Sequence, residues 1–355
     1  MSTTTRAVIA TAVGEAVVKE VPIPKISEGY LLVKTKAVAL NPTDWKSLHT
    51  PSGDNIGRKL GCDYAGVVEE VGPGVTKPFK KGDRVAGIAF GAKDAEHGAF
   101  GEHILAKGDL LIKIPDNLSF EEAATLGVGV VTVGQGLYQF LQLPLPTEPL
   151  AQSKPILIYG GSTATGILGI QYAKLSGLEV LATASPKNFD YLKSLGADAV
   201  FDYHTPTEEL AKQIRSHTNN KLTLVWDCSP TKESALLAAL SLSDAEEGVY
   251  ASLSPVPDEI FKETNPKVTK TGYTLGYTVF GESFTRGGLS WPAKPEDAVH
   301  AKSFWELSRD LLAQGKVKVV KTTVDRGGNG LEGVIKGLND LKEGRVSATK
   351  LVYTI

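Results

Sequence analysis

The residues best suited to chemistry are a run of small side chains, Gly160-Gly161-Ser162-Thr163-Ala164-Thr165-Gly166, between the β-type stretch Ile156-Leu-Ile-Tyr159 and the helical stretch from Ile167 to Leu175. A strand, a tight glycine turn and a helix N-terminus aim backbone N–H groups and the positive end of a helix dipole at one point, as pyrophosphate binding requires. Ser162, Thr163 and Thr165 add hydroxyl donors around Ala164. The next strand, Leu178 to Thr183, runs into Ala184-Ser185-Pro186-Lys187-Asn188. A fold specific for NAD carries an Asp or Glu there, about 20 residues past the glycines, for the ribose 2′-hydroxyl. No acid is present. Ser185, Lys187 and Asn188, with Pro186 among them, offer donors and a positive charge to a 2′-phosphate instead, so NADPH is the expected cofactor. An ordinary turn followed by a solvated lysine is the competing explanation, but it leaves the strand–turn–helix order and the missing acid as coincidences.

Elements that would position this turn alternate along the middle of the chain. After Ile156–Tyr159, β and α patterns follow one another to Gly248–Ser252, which specifies a parallel, doubly wound sheet. Upstream lie short β-type runs, Arg6–Ala10, Ala16–Glu20, Tyr30–Leu40, Tyr64–Val71 and Asp83–Ile88, separated by turns such as Val71-Gly-Pro-Gly74. They suit a barrel-like β domain. Ser119-Phe-Glu-Glu122 is a capping-type helix start, and the prolines between residues 142 and 155 mark a connector. The tail from Val317 to Ile355 is β-type around a helix at Leu331–Glu343, so it is expected to complete the first domain. The fold class is thus α/β, with one domain over residues 1–125 completed by 315–355 and the nucleotide-binding domain over 126–314.

Composition narrows the function classes. The 355 residues are 42% hydrophobic and 22% charged with a net charge of −2, which argues against nucleic acid or an anionic membrane as the main partner. Two cysteines, Cys62 and Cys228, exclude a disulfide framework or a Cys-rich zinc lobe, and the six histidines form no catalytic or metal motif. With no long apolar run and no leader-like N-terminus, the expected location is the cytoplasm.

The motifs Ala39-Leu-Asn-Pro-Thr-Asp44, Gly61-Cys-Asp-Tyr-Ala-Gly-Val-Val68, Lys81-Gly-Asp-Arg-Val85 and Gly98-Ala-Phe-Gly-Glu-His103 resemble those of medium-chain dehydrogenase/reductases. That resemblance spans nearly the whole chain and implies a GroES-like β-barrel catalytic domain plus a Rossmann domain. Zinc-dependent members carry a Cys ligand where this chain has Asn41 and a Gly-His-Glu where it has Gly61-Cys62-Asp63, so no metal is expected. A more specific resemblance, carried by Tyr159-Gly-Gly-Ser-Thr-Ala-Thr165, Ala184–Asp190, Val200-Phe-Asp-Tyr203 and Thr274–Glu282, is to fungal trans-acting enoyl reductases of polyketide pathways, including the lovastatin-type and ToxD-like proteins.

This resemblance implies site residues. Thr43, Asp44 and Lys46 are placed at the nicotinamide and substrate junction, where Lys46 would stabilise an enolate or organise NADPH. Thr132 is placed near the nicotinamide or the substrate carbonyl. Val133, Gly134, Gly136 and Phe140 would face an acyl chain, although the glycines suit close helix packing equally well. Tyr203, Leu253 and Ser254 would line the cofactor, Gly276, Tyr277, Thr278, Val279 and Phe280 would form a substrate wall, and Ser347, Ala348 and Lys350 would close over the cofactor. The implied activity is NADPH-dependent reduction of an α,β-unsaturated acyl thioester, on a polyketide synthase carrier domain, with hydride going to the β-carbon. Alternatives are a zinc-free quinone or enone reductase acting on free small molecules, and a dehydrogenase-like interaction protein. A monomer is expected, since Gly272, Gly276, Gly281 and Gly287-Gly288 weaken the strand edge through which related proteins dimerise.

Overall fold

In the computed structural model, which describes residues 3–355, the early β-type runs become the strands that their composition implies. Thr4–Ala12 and Glu15–Pro22 pair antiparallel. A seven-stranded sheet holds Tyr30–Ala39, Asp63–Val71, Arg84–Ile88, His103–Lys107, Leu111–Lys113, Thr322–Val324 and Lys350–Thr354. Its hub is Tyr30–Ala39, which pairs antiparallel with Asp63–Val71, with His103–Lys107 and with the returning tail strand. The apolar faces meet in a core that includes Val8, Leu31, Val33, Tyr64, Phe100, Ile104, Leu351 and Tyr353.

The chain packs as two units, one running to Val131 and resuming over Tyr277–Ile355, the other Thr132–Gly276. The expected boundaries at 126 and 314 therefore shift, and residues 277–314 belong with the first unit. The helix Pro295–Ala313, which the sequence reading did not place, is fastened there: Lys77 pairs with Glu306 at 2.8 Å, Lys302 with Asp109 at 3.0 Å, and Asn117 Nδ2 donates to the Leu312 carbonyl at 3.0 Å.

In the second unit six parallel strands form one sheet. From edge to edge they are Ala199–Asp202, Glu179–Ala184, Pro155–Tyr159, Leu224–Asp227, Gly248–Ser252 and Val268–Tyr273. In chain order this is 3-2-1-4-5-6, the doubly wound order whose switch point lies beside the first strand, where the glycine turn begins. At the end of the fourth strand the buried Asp227 carboxylate accepts from Ser234 Oγ at 2.6 Å, Tyr250 Oη at 2.8 Å and the Ser229 N–H at 2.9 Å, tying the crossover to the sheet. Trp226, fully buried, lies so close to Gly136 and Gly169 that a Cβ on either would come within 2.3 Å of its indole.

Two charges lie deep in the first unit. Asp63 and Lys350 are 0% and 3% exposed and pair at 2.5 Å; Lys350 also donates to the Thr125 carbonyl at 3.0 Å, and Asp63 Oδ1 accepts the Val128 N–H at 2.6 Å. The pair links the strand Asp63–Val71, the tail strand and the start of the helix Gly127–Val133. Lys59, also fully buried, has no hydrogen-bond partner for its ammonium among the described residues, and burial pushes its pKa down to about 8.

Removing one partner of a buried ion pair leaves an uncompensated charge, so Lys350→Met should cost about 3–5 kcal/mol, with Asp63→Asn/Lys350→Met recovering much of it. Denaturant melts of the three proteins measure this. Lys59→Met should stabilise the fold. Because its folded pKa lies below the unfolded one, the ammonium's cost is present in full below pH 8 and relieved as pH rises toward about 10.4. The gain in Tm should accordingly be largest near pH 7 and shrink by pH 10.

Candidate active site

The glycine turn is built by three different demands on its backbone. Gly160 sits at a φ of 73°, a left-handed conformation that favours glycine, and its N–H donates to Thr183 Oγ1 at 2.9 Å. Gly161 passes against Ala182, and a Cβ on Gly166 would come within 2.4 Å of the Gly160 carbonyl. Thr163 is the N-cap of the helix Ala164–Leu175, its Oγ1 accepting the Gly166 N–H at 3.0 Å. Its hydroxyl is thus engaged in the cap, while Ser162 and Thr165 remain half-buried at the mouth of the turn.

Beyond the strand Glu179–Ala184 the chain makes the short turn Pro186–Asn188. Ser185 Oγ donates to Tyr203 Oη at 3.3 Å, bringing the ends of the second and third strands together. Lys187 is exposed, and the buried Asn188 Nδ2 has no hydrogen-bond partner among the described residues. Tyr203 is 45% exposed and stacks on His204, and Leu253 and Ser254 follow the fifth strand half-buried. An anion-accepting helix start, an unspent buried donor and a free lysine with no carboxylate among Ser185–Asn188 form a donor set that fits a phosphorylated dinucleotide.

The first unit holds a buried polar cluster. The short helix Pro42–Leu48 is started by a capping box in which Asp44 Oδ2 accepts the Asn41 N–H at 2.7 Å. Thr43 Oγ1 lies 2.7 Å from Tyr277 Oη, and Cys62 Sγ lies 3.4 Å from the same phenol. Phe90 stacks on the Tyr277 ring at 4.8 Å between centroids, and the Arg286 guanidinium lies over it at 4.3 Å. Asp44 is 2% exposed, and burial, reinforced by Asp63, pushes its pKa up to about 7 against the Asn41 N–H, Cys62 and Lys350. Burial pushes the Cys62 thiol and the Tyr277 phenol upward as well. Among the described residues no group of three or more His, Cys, Asp or Glu side chains is arranged to hold a metal ion, and no helix is long and apolar enough to cross a membrane.

Comparison with known proteins matches residues 27–116 to the alcohol dehydrogenase GroES-like domain and residues 164–288 to the zinc-binding dehydrogenase family. A trans-enoyl reductase of Alternaria alternata is 47% identical over 99% of both chains, and one of Aspergillus sclerotiorum is 46% identical over 99% of this chain and all of the other. The chain belongs to the trans-enoyl reductases. Another member, TOXD of Cochliobolus carbonum, is 51% identical over 79% of this chain and 92% of its own. Among solved structures, a quinone oxidoreductase from Coxiella burnetii and the CurK enoyl reductase share the fold, with TM-scores of 0.73 and 0.71, identities of 22% and 19%, and 99% of both chains covered in each case. The expected GroES-like and Rossmann architecture is the one present, and the chain is an NAD(P)-dependent oxidoreductase by family.

Several residues that the resemblance singled out have structural partners. Lys46 is exposed, its ammonium 5.9 Å from the Trp45 ring centroid and without an ion pair among the described residues. Thr132 and Val133 are buried at the end of the helix Gly127–Val133. Gly136, open between acyl space and close packing on sequence alone, is accounted for by Trp226, and Phe140 packs against Gly272 and Lys270. Gly134 lies in the same π-helical segment, Gly134–Phe140. Of the short 3₁₀ segment Gly276–Phe280, Thr278 donates to Asp297, Val279 and Phe280 are buried, and Lys107 donates to the Phe280 carbonyl at 2.6 Å, so Tyr277 is its chemically distinctive side chain. Ser347 and Ala348 precede the tail strand, Ala348 at a φ of 52°, whereas Lys350 is turned inward onto Asp63. Sequence reasoning missed the Thr43–Tyr277–Cys62 contacts and the Asp63–Lys350 pair. The signal for the second was available: a carboxylate in the apolar run Gly61–Val68 needs a buried partner.

Gly166→Ala should drive a Cβ into the Gly160 carbonyl and lower Tm by several degrees while abolishing the thermal shift that nucleotide produces in the parent protein. Differential scanning fluorimetry with and without NADPH checks both.

Proposed function

We propose that the chain reduces the carbon–carbon double bond of an α,β-unsaturated acyl thioester, presented on the carrier domain of a polyketide synthase, with NADPH as cofactor. The observation that carries the activity is identity of 46–47% over essentially full length to two trans-enoyl reductases. NADPH, when bound, supplies the hydride that adds to the β-carbon. In this reading the turn Gly160–Gly166 holds the pyrophosphate, with Ser162, Thr163, Ala164 and Thr165 around it. Ser185, Pro186, Lys187, Asn188 and Tyr203 hold the 2′-phosphate end.

Lys46 provides the cation for negative charge that builds on the thioester oxygen, a role open to it because its ammonium has no carboxylate partner among the described residues. Thr43, Asp44, Leu253, Ser254, Ser347 and Ala348 border the cofactor, Thr132 assists at the carbonyl, and the acyl chain lies along Val133, Gly134, Gly136, Phe140 and the segment Gly276–Phe280. The protein acts as a monomer in the cytoplasm. Support for a monomer comes from the edge strand Val268–Tyr273, which carries Lys270 with Lys267 just before it, charges that discourage edge pairing.

NADPH oxidation at 340 nm with a crotonyl-type pantetheine thioester tests the activity, alongside NADH and a free quinone. Turnover should prefer NADPH by at least about tenfold, and Lys187→Ala should erase about that factor through KM for NADPH. Lys46→Ala should lower kcat by about 10²-fold. Turnover with the quinone alone would refute the thioester reading.

A further inference from the structure

Ser185 to Asn188 carry no acid, but the strand beside them ends in one. The third strand of the second unit, Ala199–Asp202, is the edge of its sheet and pairs parallel with the second strand, Asp202 opposite Ala184. The two chains therefore leave the sheet side by side. In the doubly wound order the end of the second strand is where the ribose of a bound dinucleotide lies. Asp202 is thus one strand away from the place of a 2′-phosphate, and an uncovered carboxylate there would repel it. Asp202 is covered. Its Oδ1 accepts the His204 N–H at 3.0 Å and lies 2.6 Å from His204 Nδ1, and these two bonds hold the carboxyl below the usual carboxylate range.

We propose that His204 belongs to the cofactor site, where one ring nitrogen masks Asp202 and the other is presented to the 2′-phosphate of NADPH. This rests on the NADPH reading given above. With an ionised carboxylate beside it, Nδ1 carries the hydrogen of that bond, and the imidazole, 57% exposed, keeps Nε2 without a partner among the described residues. The ring stacks on Tyr203 at 4.2 Å between centroids with 29° between planes, and Ser185 Oγ donates to Tyr203 Oη at 3.3 Å. His204, Tyr203 and Ser185 form one connected arrangement across the two strand ends. Exposed Lys187 and the buried Asn188, whose Nδ2 has no partner among the described residues, follow directly after Ser185 and Pro186.

Charge explains why the third strand needs this histidine. Lys187 is the one cation among Ser185–Asn188, and an uncovered Asp202 would offset much of its attraction for a phosphate. A protonated imidazole on Asp202 removes that opposition and adds a charge-assisted donor at Nε2. The effect falls on the 2′-phosphate alone, because adenine, ribose and the rest of the dinucleotide offer no charge at that point. A purely structural histidine would behave differently. His204 N–H and the Thr205 N–H, which donates to the Asp202 carbonyl at 3.1 Å, also shape the turn that leaves the strand. If that were its whole task, its loss would weaken nucleotides with and without a 2′-phosphate to the same extent.

The experiment is isothermal titration calorimetry with 2′,5′-ADP and with 5′-AMP, which differ only in the 2′-phosphate, at low ionic strength and about pH 6.5, within the range over which histidine changes charge. The proteins are the parent, His204→Phe, His204→Arg and the double variant Asp202→Asn/His204→Phe. Phenylalanine keeps a ring against Tyr203 and loses the nitrogens. The parent should bind 2′,5′-ADP at least about tenfold more tightly than 5′-AMP, and His204→Phe should lose about tenfold for 2′,5′-ADP while its affinity for 5′-AMP stays within about threefold. His204→Arg, which restores a cation, and the double variant, which removes the acid, should each recover most of that loss. A parent that prefers 2′,5′-ADP with His204→Phe unchanged would overturn the role of His204 and leave the NADPH reading in place. Equal losses on both ligands, or no recovery in either rescue variant, would assign the residue to the turn and overturn the proposal as well. A parent without preference for 2′,5′-ADP would overturn the NADPH reading and the proposal together.

Discussion

The ion pair between Asp63 and Lys350 is the constraint around which the first unit is arranged. A carboxylate and an ammonium that are both almost wholly buried are tolerable only when each meets the other with its remaining lone pairs or protons satisfied. Here the Val128 N–H and the Thr125 carbonyl complete the set. The end of the chain therefore has to return to the sheet in one register, with Val352 opposite Ala39, and the helix Gly127–Val133 has to begin beside the strand Asp63–Val71. The same two charges set the field around Asp44, pulling its carboxyl in opposite directions while burial holds it near neutrality. A device needed for folding thus also tunes a neighbouring buried carboxyl.

The second unit depends on close approach of backbones. Gly136 and Gly169 let a fully buried tryptophan sit between two helical segments, and Gly160, Gly161 and Gly166 let the first strand turn into its helix without a side chain in the way. A carboxylate at the end of the fourth strand, Asp227, then ties the following crossover back to the sheet. The result is a tight turn that leads straight into a helix N-terminus, with Ser185 and Asn188 lying just past the end of the next strand.

Much of this was legible before the structure. The alternating β and α runs specified the doubly wound sheet, and the glycines after Tyr159 specified the turn by which its first strand enters a helix. The capping motif at Ser119 opens a helix through reciprocal bonds with Glu122, but that helix, Phe120–Ala123, stops after four residues and a second begins at Gly127, where the sequence reads as one helical stretch past Leu137. What escaped were features whose cause lies far away in sequence. The helix Pro295–Ala313 belongs to the first unit because Lys77 and Asp109 reach it, and no local pattern states that. Gly136 reads equally as acyl space or close packing until Trp226 is found against it.

The sequence by itself determined the class of fold, the strand–glycine turn–helix unit at Gly160–Gly166 and the absence of an acid at Ser185–Asn188, because these depend on residue type and on spacing within a few dozen positions. Tertiary structure alone decided which of the polar residues would lie together. Thr43, Cys62 and Tyr277 are brought within hydrogen-bonding distance only when the segment after the last Rossmann strand packs onto Phe90. The state of Asp44 is likewise a property of its burial rather than of its sequence neighbours, since desolvation is set by everything that surrounds a group in space.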